Sequence, residues 1–302
     1  MKRWVAATLL ALAACSERVE TVDPMDQCRA TTDRAAQVAA CSQVVDSADH
    51  GTEVRAEAYA LRAVARQGGG EVTAALRDFE AALRLDEDNT EALLGRASIL
   101  LASGQLDAAE LLASRAADTS GRAAEMMGQI ALRRSHFDDA LRQFDRALEQ
   151  APRSASAMEG RARAKQALAD ERGAADDYDA AIRLDGTRAT ARAGRCWLDL
   201  RAGRNLERAR NDAEAAVAAD PRNVEAQLCR GVLQLRGGEW ENARTSFDRV
   251  LDVEPGNPVG LFGRGVARRR SGESAGREDM NLARDFDRHI GETFDDLGVE
   301  TY

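Results

Sequence analysis

Cysteine, histidine and paired acids are the side chains through which this sequence could do chemistry, and their spacing limits what is possible. The three histidines, His50, His136 and His289, stand far apart, each at an expected turn or on a polar helical stretch. There is no histidine pair at helical spacing, no C-x-x-C and no acidic calcium loop, so no metal-ligand set forms in the sequence. The acidic pairs Asp138-Asp139 and Asp176-Asp177 read as solvated helix surface with no base beside them. The glycines Gly68 to Gly70 lack the Lys-Ser/Thr that completes a phosphate loop and read as a turn. No serine has a base at useful spacing. The expectation is no catalytic residue, no metal and no cofactor: a protein that is not an enzyme.

The five cysteines, Cys15, Cys28, Cys41, Cys196 and Cys229, carry more information. Cys15 ends an apolar run that starts with Lys2 and Arg3 and stays uncharged from Trp4 to Ala14. That is the layout of a secretory signal peptide, too short to cross a bilayer as a permanent helix. Leu12-Ala13-Ala14-Cys15 resembles the lipobox of bacterial lipoproteins, which implies cleavage before Cys15 and a lipid on its sulfur. The alternative is an ordinary signal peptide cut after Ala13. An odd cysteine count leaves one thiol over in an exported chain, whereas a lipid-bearing Cys15 leaves four that can pair. Residues 1–14 are then a signal peptide and 15–25 a lipid-attached linker. Ser16 stands where an aspartate would, in that lipoprotein class, imply inner-membrane retention, so the expected location is the outer membrane, facing the periplasm.

The rest of the chain must be helical. Alanine dominates, only 4% of the 302 residues are aromatic and 31% are charged, and β-branched residues are sparse. The net charge is −9, and more acidic still without Lys2 and Arg3, which argues against a nucleic-acid partner. Lysine occurs only at Lys2 and Lys165, so the positive charge is arginine.

An internal period organises these helices. Ala75, Phe79 and Ala82 are echoed by Ala140, Phe144 and Ala147, by Ala174, Tyr178 and Ala181, and by Ala243, Phe247 and Val250. Alanine replaces the aromatic at Ala109, Ala113 and Ala116 and at Ala209, Ala213 and Ala216, and a degenerate copy lies at Gly276, Met280 and Ala283. Upstream of each, an arginine precedes a small residue: Arg62-Ala63, Arg96-Ala97, Arg161-Ala162, Arg195-Cys196, Arg230-Gly231 and Arg264-Gly265, with Met127-Gly128 filling the gap. Gly70, Gly104, Gly203, Gly238 and Gly272 fall between paired helices, and Pro152, Pro221 and Pro255 close three repeats.

With this beat of about 34 residues the sequence resembles the tetratricopeptide repeat family over roughly residues 52 to 290. The resemblance implies an all-α fold, a right-handed α-solenoid of about seven helix-turn-helix repeats. A partial hairpin spans 26–50, the solenoid 51–270, and a degenerate last repeat, capping helix and tail 271–302. The stripe Leu282, Phe286, Ile290, Phe294 and Leu297 reads as the cap on the last repeat's open face. In the partial hairpin, Cys41 takes the aromatic position and Cys28 lies across a short turn, so a disulfide is favoured over two buried thiols; sequence cannot supply the distance. Cys196 and Cys229 lie on neighbouring first helices two residues out of step, and read as small buried hydrophobes.

The resemblance also implies a concave surface lined by first helices, where a protein or peptide partner binds, with no small-molecule substrate. Its early positions, such as Ala60, Val64, Leu94, Ser98 and Leu101, are bland, and the middle (Glu125, Gln129, Arg133, Glu159, Arg163, Gln166) is mixed and polar. The last repeats offer an apolar floor of Trp197, Leu200, Leu228, Val232, Leu235, Phe262 and Val266, with Arg201, Arg236, Arg269 and Arg270 as a rim. That composition suits an amphipathic or acidic segment. The functional expectation is a scaffold or adaptor of the cell envelope. The alternatives are a soluble periplasmic adaptor and a structural subunit of an envelope assembly or secretion complex.

Overall fold

The computed structural model describes residues 23–116 and 120–301. The leader and Cys15 lie outside them. Among the described residues there are seventeen helices and no strand, and no helix is long and apolar enough to cross a membrane. The fold is of the α-solenoid class that the sequence period implies. Two compact units divide between Gly95 and Arg96.

The first unit contains α1 (Pro24–Ala30), α2 (Arg34–Asp46), α3 (Thr52–Gly68), α4 (Val72–Leu85) and the start of α5 (Thr90–Ala102). Asp23 and Asp33 start α1 and α2 by accepting backbone N–H bonds from Met25 and Ala36. Met25, Cys28, Cys41, Val44 and Val45 form the small core of this end, with Ala58 of α3. The Sγ atoms of Cys28 and Cys41 lie at disulfide distance, with Cα atoms 4.8 Å apart.

The second unit completes α5 and continues with α6 (Leu106–Arg115), α7 (Gly121–Arg133), α8 (Phe137–Gln150), α9 (Ala155–Ala167) and α10 (Glu171–Leu184). It then runs through α11 (Ala189–Arg201), α12 (Leu206–Ala219), α13 (Val224–Arg236), α14 (Trp240–Val253), α15 (Pro258–Arg270), α16 (Gly276–Phe286) and α17 (Ile290–Asp296). Here α7, α9, α11, α13 and α15 are first helices, and successive ones touch. Ser154, Asn223 and Asn257 cap α9, α13 and α15.

The small positions act as expected, but glycine does more than alanine. The ring of Phe144 stands where a Cβ on Gly128 or on Gly160 would fall, and Phe247 stands likewise between Gly231 and Gly263. Phe144 and Phe247 are thus each clasped by two consecutive first helices that approach without side chains. Gly70, Gly104, Gly203, Gly238 and Gly272 all adopt positive φ at the inter-helix turns. Where a repeat lacks that glycine, Ser135 and Ala169 take the same conformation, at φ 59° and 63°.

The arginine of the Arg-small marker proves to be a structural strut. Arg62, Arg161, Arg195 and Arg264 each bind both oxygens of an aspartate on the following second helix: Asp78, Asp177, Asp212 and Asp279, at 2.6–2.8 Å. Three of them also reach back to the preceding second helix, Arg161 to Asp145, Arg195 to Asp179 and Arg264 to Asp248. Arg230 makes the corresponding bond to the buried hydroxyl of Ser246, at 3.0 Å. Hydrogen bonding to Asp177 and Asp279 pushes the pKa values of Arg161 and Arg264 above the ordinary guanidinium value. Asp177 was expected on a solvated surface. It is instead buried, because Arg161 and Lys165 neutralise it, whereas Asp176 beside it is exposed.

Candidate functional site: the first-helix face of the C-terminal repeats

On α9, α11, α13 and α15 the inward side chains form one face, and a cleft of about 450 Å³ opens on it. Its apolar wall is Trp197, Leu228, Val259 and Leu297, and Arg163 and Arg201 stand at its edge. The Trp197 indole N–H donates to the backbone carbonyl of Glu225 at 3.1 Å, and the Arg201 guanidinium lies over the ring, 5.8 Å from its centroid. The ring is therefore held between neighbouring helices with one face still partly open. Tyr178, from α10, closes the back of the cleft, its hydroxyl donating to Gln166 at 3.1 Å, and burial pushes its pKa up.

The structure divides the expected floor in two. Trp197, Arg201 and Leu228 line the cleft. Leu200, Val232, Leu235, Phe262 and Val266 are buried in the core of the last repeats and face no solvent. The C-terminal segment covers part of that core. The stripe expected to cap the last repeat's open face does lie there, α17 touching α15 and α16, and Ile290, Phe294, Leu297 and Val299 join the same buried cluster. The rings of Phe262 and Phe294 lie 4.9 Å apart. Leu282 and Phe286 of the same stripe remain exposed. Three of the expected rim arginines serve the segment: Arg269 donates to the carbonyl of Thr301 at 3.4 Å, and the guanidinium of Arg236 lies against Gly298. Arg270 donates to the carbonyl of Glu300 at 3.0 Å.

The reading of Cys196 and Cys229 as separate buried thiols needs correction. Their Sγ atoms lie at disulfide distance, with Cα atoms 6.5 Å apart, linking α11 to α13. Adjacent first helices are not level, so two positions out of step in the repeat become opposite in space. The pair sits one residue from Trp197 on one helix and one from Leu228 on the other, beside the cleft. Leu94, expected to face a groove, is fully buried in the first unit. In the middle of the face, the expected inward carboxylate of Glu159 is also buried, held by Arg188 at 2.8 Å.

Sequence reasoning missed Tyr178, which the repeat pattern marks as core and whose edge reaches the cleft, and Val259, which lies outside the marker positions. Among the described residues, no group of three or more His, Cys, Asp or Glu side chains is placed to hold a metal ion.

Comparison with known proteins agrees with this architecture. Family models described as Tetratricopeptide repeat match residues 68–130, 125–189 and 197–258. A search of curated proteins finds no match. Among solved structures, the chain is similar to one in the Cut9-Hcn1 hetero-tetramer of the APC/C, at TM-score 0.64 and 12% identity, covering 79% of this chain and 49% of that one. It is also similar to Pseudomonas aeruginosa pilF, at TM-score 0.59 and 14% identity, covering 70% and 97%. A tetratricopeptide repeat protein from Parabacteroides merdae matches at TM-score 0.53 and 17% identity, covering 80% and 98%. At these identities the likeness concerns the fold.

Proposed function

The chain belongs to the tetratricopeptide repeat family, and from that premise we propose that it is a non-catalytic scaffold of the bacterial cell envelope, tethered by a lipid on Cys15, that binds a protein or peptide on the first-helix face of its C-terminal repeats. Repeats of this family generally mediate protein–protein interaction. The observation that carries the choice of face is the open cleft with Trp197 and Leu228 as its wall and Arg163 and Arg201 at its edge. Tryptophan and arginine are among the side chains that most often dominate binding energy.

Export is supported by the cysteines. The four within the described residues stand as two pairs at disulfide distance, a state that persists in oxidising compartments. Cys15 is then the one left over, and its place in Leu12-Ala13-Ala14-Cys15 suits lipid attachment. The lipid should place the chain on the outer membrane, facing the periplasm.

Two measurements test this reading. Labelled palmitate should enter the wild type and not Cys15→Ala, and the variant should move to the soluble periplasmic fraction. A wild type without label would make the chain a soluble periplasmic adaptor. Detergent extracts of the native host should yield partners on the tagged wild type that are lost with Trp197→Ala. Equal capture by both would remove the cleft from the binding site.

A further inference from the structure

The floor of the binding face is already covered by the chain itself, and the way it is covered shows what kind of partner fits there. The covering segment is a short amphipathic helix, α17, with its tail. Its inner side is Ile290, Phe294, Leu297 and Val299, all buried, and its outer side carries Glu292, Asp295, Asp296 and Glu300, all exposed. A glycine at positive φ lets the tail stay on the face. Gly298, at φ 72°, donates to the carbonyl of Asp295 at 2.9 Å, and Val299 to that of Phe294 at 3.0 Å, closing the helix and returning Val299 to the apolar floor. The receiving surface is complementary: Phe262 beneath, with Arg236, Arg269 and Arg270 along the side.

Two features distinguish this segment from a fixed cap. It fills only part of the face, for the cleft continues past Leu297 and Thr293 to Trp197 and Leu228. And it is joined to α16 through Asp287, Arg288 and His289, the last two exposed, while its arginine hydrogen bonds are to backbone carbonyls and the exposed Glu300 carboxylate. A longer helix of the same pattern would bury everything α17 buries and fill the cleft as well.

We propose that the segment from Ile290 to Thr301 is a displaceable occupant of this face, and that the partner it holds off is an acidic amphipathic helix with aromatic and aliphatic anchors at the spacing of Ile290, Phe294 and Leu297. The proposal rests on the reading of this face as the partner site, and it adds the partner's chemistry and a regulatory step. A tethered occupant competes at high effective concentration, so only a partner reaching the open cleft displaces it.

The probe is a fluorescent peptide of residues 287–301, titrated into the full chain. Phe294→Ala/Leu297→Ala weakens the occupant without touching the floor, and should bind the peptide at least tenfold more tightly than the wild type, which keeps its own copy in place. Equal binding by the two proteins, both with intact helical spectra, would overturn the proposal. Hydrogen exchange on the wild type gives a reading free of any folding defect. The amides of Leu297, Gly298 and Val299 should exchange at least a hundredfold faster than those in the middle of α15. Equal protection would make the segment a permanent part of the fold and end the proposal. Neither measurement involves the native partner, so equal partner capture by the wild type and Trp197→Ala would count against the partner site and leave the occupant standing.

Discussion

Arg195 and Asp212 form a two-pronged ion pair in which Nε and Nη2 each meet a different carboxylate oxygen at 2.7 Å, while Nη1 reaches Asp179 at the same distance. One guanidinium thereby ties α11 to both α12 and α10. The contact recurs at Arg62–Asp78, Arg161–Asp177 and Arg264–Asp279, so it belongs to the repeat and not to one site. Asp212 is almost wholly buried, at 1% exposure, and also accepts from Arg192 at 3.0 Å.

Removing that carboxylate should therefore be costly. Asp212→Ala leaves the half-buried Arg195 guanidinium with Asp179 alone and strips its two-pronged partner, and should lower unfolding stability by about 3 kcal/mol. Asp176→Ala, at an exposed acid, should stay within about 0.5 kcal/mol of the wild type. Urea unfolding followed by circular dichroism measures both. Equal small losses would show that the strut does not hold the helices together.

The cysteine pairs make a second prediction. Non-reducing peptide mapping of protein taken directly from the periplasm should find Cys28 joined to Cys41 and Cys196 joined to Cys229. On the loop-entropy model their sequence separations of 13 and 33 correspond to about 3 and about 4 kcal/mol. A reductant should lower the melting temperature of the wild type and leave a variant with all four cysteines changed to serine unmoved. Free thiols at all four positions in freshly isolated protein would refute both links and remove the support they lend to export.

The turn after α9 holds a strained residue whose relief is measurable. Ala169 sits at φ 63°, where a Cβ is unfavourable and where other repeats carry glycine. Ala169→Gly should stabilise the protein by about 0.5 kcal/mol, the relief of strain exceeding the added freedom of the unfolded chain. The opposite change at Gly238, φ 75°, should destabilise it. Thermal melts of the two variants should move in opposite directions.

How much of this was legible in the sequence depended on whether the signal was periodic. The helices, their turns and the aromatic positions repeat every 34 or so residues, and local spacing was enough to place them. The Arg-small marker was visible for the same reason, but its role was not. An aspartate 15 to 17 positions later becomes a partner only when two helices fold against each other. Asp177 looked like one of two surface acids, because burial of a charge is decided by a guanidinium from another helix. Cys196 and Cys229 were misread because the stagger of neighbouring first helices is a property of packing. The covered floor was the largest departure. The stripe from Ile290 to Leu297 was recognised as an apolar cap, but nothing in its spacing says which floor residues it covers.

The division of the floor into a covered and an open part gives the last prediction. Trp197 lines the open cleft and is only partly buried, while Phe262 lies at zero exposure against Phe294. Phe262→Ala should therefore act on the fold, costing about 3 kcal/mol or more through the cavity it leaves. Leu94→Ala, another fully buried site, should cost about 2 kcal/mol or more and is no neutral control for binding. Trp197→Ala should instead act on recognition. Once a partner has been recovered, its affinity should fall by about 2 kcal/mol, near thirtyfold, while the helical spectrum is retained. Arg201→Ala should weaken binding less, and mainly at low salt, because an exposed guanidinium acts through steering. The discriminating measurement is denaturation and partner titration on the same four variants. If Trp197→Ala loses as much stability as Phe262→Ala and no affinity, then its indole is a core group bonded to Glu225, and the partner must bind elsewhere on the repeats.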